Sequence, residues 1–399
     1  MTRINKYRIG EFLLLATTVE LLLCGSGQII HIIGSLTARM TFFLLIFICC
    51  ILYINRINAY LNKIDIYILT FYTIVFSASI SIALISNSKA SYIFEDIKPL
   101  SYFFILPFFL SFITNQNTVN KIKFAIKYVS LSMAIIYLIY IALIKFLGLI
   151  DFSIFYQSME EESDFMFRGE QGEMFYKGFV FLPIGLIFWF AEKKWVPCIL
   201  LITAIYYTMT RGFYVMSFLG LSFYLFSQIK DARIKITLIL LLTILGLLLI
   251  SSGLFEMGED RAHGDEMRIV TFYQVRDKVT LLSFFIGHGF GEGVDFRPIH
   301  MENSFLEIFN KQGLLGIAFW ISFLSTIIFY TIKSEKKQTP IIFCIGATIV
   351  YIQSLFNPYI TNPIGIGYLL IAYSVCKFYY IKTQISHGTK SDTNMLSNI

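Results

Sequence analysis

Two runs constrain this chain more than any other feature: Ile236–Ile250 and Ile317–Ile332 contain no charged residue. In lipid, backbone N–H and C=O groups must be satisfied within the segment or around a closed barrel, and these runs lack the strict alternation of a barrel strand. They are therefore read as helices. Charged residues make up only 15% of the 399 positions, with 56% hydrophobic and a mean hydropathy of +0.70. A soluble domain averages about 25% charged residues, so an ordinary soluble protein and a disordered chain are both excluded.

Apolar segments of membrane-spanning length fall near 11–33, 37–55, 64–86, 98–114, 124–148, 176–191, 195–210, 212–229, 236–252, 313–332, 341–357 and 364–380. The expected fold is an all-α integral membrane protein with about twelve transmembrane helices. Residues 1–381 form a polytopic membrane domain, and 382–399 a disordered cytoplasmic tail. With the N-terminus inside, more than half of the 32 basic residues collect in short inner loops, which predicts cytoplasmic termini. The six cysteines all lie in apolar runs without metal-ligand spacing and read as small hydrophobes.

Two long outer loops remain. The first, about 151–176, is acidic, with Glu160, Glu161, Glu162, Asp164, Glu170 and Glu173 among its residues, and reads as solvated in preference to acceptor-binding. The second, about 253–312 between the ninth and tenth spans, is far longer than a bundle connection needs and holds His263, His288 and His300 with several arginines.

Three constellations carry chemistry. Arg211, in Thr208-Met209-Thr210-Arg211-Gly212, is placed at an outer turn where an arginine needs a carboxylate, a phosphate or a lipid headgroup. Arg268, Phe272 and Arg276 have four-residue spacing, so a helix would set two guanidinium groups and an aromatic along one face; Gly287-His288-Gly289-Phe290-Gly291 then reads as a tight turn. Residues 301–311 read as an interfacial amphipathic helix, with His300 at its start as a proton carrier or phosphate ligand and Glu302 beside it. Within the first span, Glu20 is expected on one helical face with Cys24, Gln28 and His31, either paired to a basic residue or touching substrate.

Together these segments resemble the Wzy/WaaL superfamily of lipid-linked oligosaccharide polymerases and ligases. The likeness lies in Thr208/Thr210-Arg211-Gly212, in Arg268 with Phe272, in Gly287-His288-Gly289-Phe290-Gly291, and in His300 through Leu306 with Gly313 and Gly316. Many members have Trp at the place of Phe272 and Asn at the place of Met301. The resemblance covers roughly 190–330 and implies a membrane glycosyltransferase of GT-C-like fold that uses neither metal nor cofactor. Its implied donor is an undecaprenyl-pyrophosphate-linked oligosaccharide, handled at the periplasmic face of the bacterial inner membrane. Arg211, Arg268 and Arg276 would hold the pyrophosphate; His300 would be the general base or a further phosphate contact, and Glu302 its orienting partner or an alternative base. A chain-length regulator is an implied partner, and nucleic acid is not. The first reading is an O-antigen polymerase in lipopolysaccharide biosynthesis. The alternative is an O-antigen ligase that transfers the glycan to the lipid A core. A flippase would need paired, Gly- or Pro-broken helices, and the 8 prolines show no such pairing.

Overall fold

The computed structural model describes residues 3–25, 27, 30–33, 36–152, 165–167, 173–229, 231, 259–335 and 337–386. The expected segment 236–252, most of the acidic loop and the tail from 387 onward lie outside these residues.

The described chain is mainly helical, with two short hairpins and irregular connections. In chain order the helices are α1 (Arg3–Leu23), α2 (Ala38–Leu52), α3 (Ile54–Tyr60), α4 (Lys63–Ile85), α5 (Ala90–Leu100), α6 (Leu106–Phe112), α7 (Gln116–Ile141), α8 (Phe181–Ala191), α9 (Trp195–Tyr207), α10 (Arg211–Gln228), α11 (Glu259–Lys278), α12 (Leu281–Ile286), α13 (Ser304–Lys333), α14 (Gln338–Gln353) and α15 (Pro363–Ser386). Among the described residues four helices, Lys63–Ile85, Gln116–Phe146, Ser304–Lys333 and Pro363–Ser386, are long and apolar enough to cross a membrane; α2 and α3 make a fifth if taken as one span bent by 85°. Other apolar helices, such as Trp195–Tyr207, are shorter. At 1.5 Å per residue α9 rises about 20 Å, less than a hydrocarbon core of roughly 30 Å.

Burial ranks the long helices. The apolar window of α15 is 83% buried against 28–39% for the other three, so α15 is the axis of the bundle and its neighbours turn a side outward to lipid. Helices α1, α13 and α14 pack around it. Close approach is set by small residues: a Cβ at Gly346 would meet the Tyr368 hydroxyl at 2.0 Å. At one end of the axis the Lys377 ammonium is hydrogen-bonded to Asp65 and to the Tyr60 carbonyl, while the Tyr373 hydroxyl donates to Asp65 at 2.8 Å. Asp65 also closes the capping box that starts α4 from Asn62.

Three sequence expectations change. The first helix ends at Leu23, because Gly25 and Gly27 take positive φ of 48° and 87°, and the chain then pairs His31–Ile33 with Leu36–Thr37. His31 therefore does not share a helical face with Glu20, which instead meets Arg39 at 3.0 Å with both side chains buried. The segment 98–114 is no continuous helix: Pro99 closes α5, a 3-10 turn covers Ser101–Ile105, and α6 restarts with Pro107 in its first turn. The Leu100 carbonyl accepts from the Tyr72 hydroxyl at 2.6 Å. The acidic loop ends in a strand, Met174–Tyr176, that pairs with Phe165–Phe167 and is buried, with Glu173 held by Lys145 at 2.6 Å. Its described end is core rather than solvated loop.

Candidate functional site

The site is built where α13 breaks. Asn303 caps this helix, its side-chain oxygen accepting from the amides of Phe305 and Leu306 at 2.9 and 3.1 Å, so the helix starts at 304 rather than 301. It kinks at Gly313, whose φ of 63° and ψ of −159° no helix interior allows. The carbonyls of Asn310 and Lys311, one turn before the break, accept from the amides of His288 and Gly289 at 2.8 and 3.0 Å. The turn that supplies these amides has φ of 76°, 90° and 77° at Gly287, Gly289 and Gly291. It is wedged against α4: the Phe290 amide donates to the Ser79 carbonyl at 3.1 Å, and a Cβ at Gly289 would lie 2.5 Å from the Ala83 nitrogen.

This wedge delivers the Gly291 amide to Asp96 on α5, at 2.7 Å from Oδ2. The other Asp96 oxygen faces the Lys311 ammonium at 2.7 Å, which also bonds Glu307 Oε1 at 2.7 Å and the Ile299 carbonyl at 2.5 Å. All three ammonium protons of Lys311 are thereby used. Asp96, Glu307 and Lys311 are 3–4% exposed, an ionic triplet inside the protein. Glu307 reaches outward as well: its Oε1 meets His300 Nδ1 at 3.2 Å and its Oε2 accepts from the Thr361 hydroxyl at 3.2 Å. His300 itself is 48% exposed, with Asp96 Oδ1 at 3.8 Å, and the group lines a small open cleft of about 10 Å³.

The charges act on one another. Burial raises the pKa of Asp96 and, although the Lys311 ammonium and the Gly291 amide draw it down, the net direction is up, with Glu307 adding to the rise. Burial lowers the pKa of His300, but the hydrogen bond and charge of Glu307, helped by Asp96, outweigh it and lift the imidazole above its ordinary value. A carboxylate at Nδ1 fixes the proton there in the neutral ring, which leaves the Nε2 lone pair on the exposed side. Asp96, His300 and Glu307 also place three ligand atoms within 4.8 Å of one another, a spacing that suits a cation. The ammonium of Lys311 already stands between the two carboxylates, so the positive charge this donor set favours is the protein's own.

The expected site residues divide. Glu302 lies not against His300 but between two arginines, with Arg268 Nε at 2.6 Å and Arg297 at 2.5 Å, and the partner position beside the imidazole is held by Glu307. The Arg268–Glu302–Arg297 group carries a net positive charge at the surface three residues from His300, and α11 is held over it by a small apolar cluster of Val275, Val294 and Met301. Met301, the departure from the family pattern, is thus an anchor, 1% exposed. Arg276 is turned along its own helix, bonded to Asp277 at 2.8 Å and stacked over the Tyr273 ring at 4.8 Å. Arg211 is the first residue of α10 and does not line the Asp96 cleft. It adjoins the same region through its neighbour: a Cβ at Gly212 would come within 2.5 Å of Gln353 Oε1, and the next carbonyl, of Ser354, accepts the Ser304 amide at 2.9 Å. His288 is in the wedge turn, its pKa lowered by burial and by Lys278, and the side chain of His263 lies outside the described residues. Sequence reasoning missed Asp96, Glu307, Lys311 and Thr361; the four-residue spacing of Glu307 and Lys311 was the one signal available.

No protein-family model matches the chain. Over 376 residues it is 27% identical to an O-antigen polymerase of Shigella flexneri, covering 92% of this chain and 93% of the relative. The chain is thus similar over nearly its whole length to an O-antigen polymerase, as the sequence resemblance leads one to expect. The likeness to an O-antigen polymerase runs the length of both proteins, so it concerns the whole helical architecture and not only the loop that bears His300.

Proposed function

We propose that this protein polymerises O-antigen, joining a polyprenyl-pyrophosphate-linked glycan to a lipid-linked repeat unit at the periplasmic face of the inner membrane. The observation that carries the reading is the His300–Glu307 pair on the open side of a buried ionic triplet, in a chain similar over nearly its full length to an O-antigen polymerase. His300 Nε2 takes the proton of the acceptor sugar hydroxyl as that oxygen bonds to the anomeric carbon of the donor; the bond from this carbon to the pyrophosphate oxygen breaks, and the lipid pyrophosphate departs with the electron pair. Pyrophosphate is a good leaving group, so the remaining need is for fixed cations. Arg297, three residues before His300, and Arg268, which shares Glu302 with it, are proposed to supply them, and Arg211 and Arg276 to meet the same leaving group as it moves out. Glu302 keeps the two surface arginines in place. The mechanism asks for no metal ion. About twelve spans in a GT-C-like arrangement, an undecaprenyl carrier and a chain-length regulator complete the reading.

A lipopolysaccharide gel of a strain lacking this gene, beside the complemented strain, tests it. Core bearing a single repeat unit is expected in the deletion, with the ladder restored by the wild-type copy. Bare core with long glycan left on the lipid carrier would make the protein a ligase, and an unchanged ladder would remove the proposal.

A further inference from the structure

The ionic triplet is costly. Burying two carboxylates and an ammonium forfeits hydration that a well-packed apolar cluster would not need, and such groups commonly add little net stability. Nor does the turn need it for shape, since the wedge is already held by the backbone bonds of His288, Gly289 and Phe290 to Asn310, Lys311 and Ser79. What the triplet does supply is a set charge behind the imidazole. Two carboxylates and one ammonium sum to a single negative charge, which a protonated His300 neutralises. Among the described residues, the charged groups that act on the ring are Asp96 from α5 and Glu307 and Lys311 from α13. The uncharged groups there are the Thr361 hydroxyl, the Gly291 amide and the Ile299 carbonyl.

We propose that Asp96 and Lys311 are positioning residues for the reaction at His300: the Lys311 ammonium holds both carboxylates in register, and the charge balance of the pair sets the pH at which the imidazole gives up its proton. Neither residue touches substrate. Lys311 cancels one of the two negative charges that would otherwise lock His300 as imidazolium, and Asp96 contributes the charge that keeps the imidazole basic enough to take a proton from a hydroxyl. This rests on the reading of His300 as general base.

The test is the pH dependence of polymerisation by the full-length protein, with purified lipid-linked repeat units as substrate and initial rates from about pH 5 to pH 9. Asp96→Asn, which keeps the shape of the side chain and an acceptor for the Gly291 amide, should move the acidic limb down by about one pH unit. Lys311→Met should move it up by a similar amount, Lys311→Arg should restore it, and the double variant Asp96→Asn/Lys311→Met should return close to the wild-type limb, because it leaves one negative charge as before. A merely structural role would lower rates without this reversal of sign. Should Lys311→Met fail to reach the membrane, Asp96→Asn carries the test alone. An acidic limb that disappears in His300→Ala but stays in place in Asp96→Asn overturns the assignment. A limb that persists in His300→Ala overturns the base reading beneath it.

Discussion

At the scale of single residues, two glutamates five positions apart stand in opposite environments. Glu307 is 4% exposed and bonds His300, Lys311 and Thr361, whereas Glu302 is 33% exposed between two arginines. Replacing Glu307 by Gln removes the larger of the two charges that lift the imidazole and leaves Asp96 alone against burial and Lys311, so the acidic limb of activity should fall; the rate should drop by about 10²-fold or more. The sign follows because the base form exists above the pKa, and a lowered pKa extends it to lower pH. Glu302→Gln changes only a surface cluster, for which a loss below about tenfold is expected. Polymer formed per unit of membrane protein, compared across pH for both variants, checks the contrast; equal losses would place both glutamates in one role. His300 itself was legible in the sequence as a histidine ahead of a helix. Its partner was not, because the Asn303 cap lies between them and turns the chain, so that the residue two positions away faces solvent while the one seven positions away faces the ring. Asp96 was still less legible: it is 215 residues from the lysine it bonds, a pairing that only the packing of α5 against the wedge turn creates.

At the scale of elements, the wedge turn decides whether α13 presents Lys311 and Glu307 correctly. Gly289→Ala places a Cβ 2.5 Å from the Ala83 nitrogen and 3.0 Å from the Ser79 carbonyl oxygen, both backbone atoms that cannot swing aside, at a φ of 90°. Gly148→Ala has a positive φ of 58° but nothing within 4 Å, and so provides a control for backbone strain alone, worth about 1–2 kcal/mol. Thermal unfolding of the detergent-solubilised protein should show a clearly larger fall for Gly289→Ala than for Gly148→Ala, and polymer should vanish only in the former. Similar melting shifts would show that the turn yields and does not brace the site. Elements of this kind are half legible. Hydropathy marks the helices, since apolar length is a local property, and helices stand in every expected segment that the structure describes. It says nothing of where a helix breaks: the interruptions at Gly25, Pro99 and Gly313 follow from backbone preferences that hydropathy averages away. A run of alternating glycines announces a turn, but not the helices it will touch.

At the scale of the whole molecule, buried charge is sorted to the two ends of the bundle. Asp65 and Lys377 lie at one end of α4, while Ser79 and Ala83 near its other end receive the wedge turn; the 14 residues from Asp65 to Ser79 span about 21 Å. In α13 the order is reversed, with Glu307 and Lys311 at the site end and Lys333 at the far end. The antiparallel pair therefore separates a lysine-rich end, which includes Lys63, Lys377 and Lys382, from an end that carries the Asp96 cleft and the arginines around Glu302. By the positive-inside bias a basic end is expected in the cytoplasm, and the proposed function expects the cleft on the opposite face. The consequence is directly measurable. Asp295 and Lys382 are both exposed and sit at opposite ends, and none of the six native cysteines is exposed. In intact spheroplasts a membrane-impermeant maleimide should label Asp295→Cys and leave Lys382→Cys untouched until the membrane is opened. The reverse pattern would put the cleft in the cytoplasm, where a glycan already carried across the membrane could not reach it, and the polymerase mechanism would have to be abandoned along with the topology.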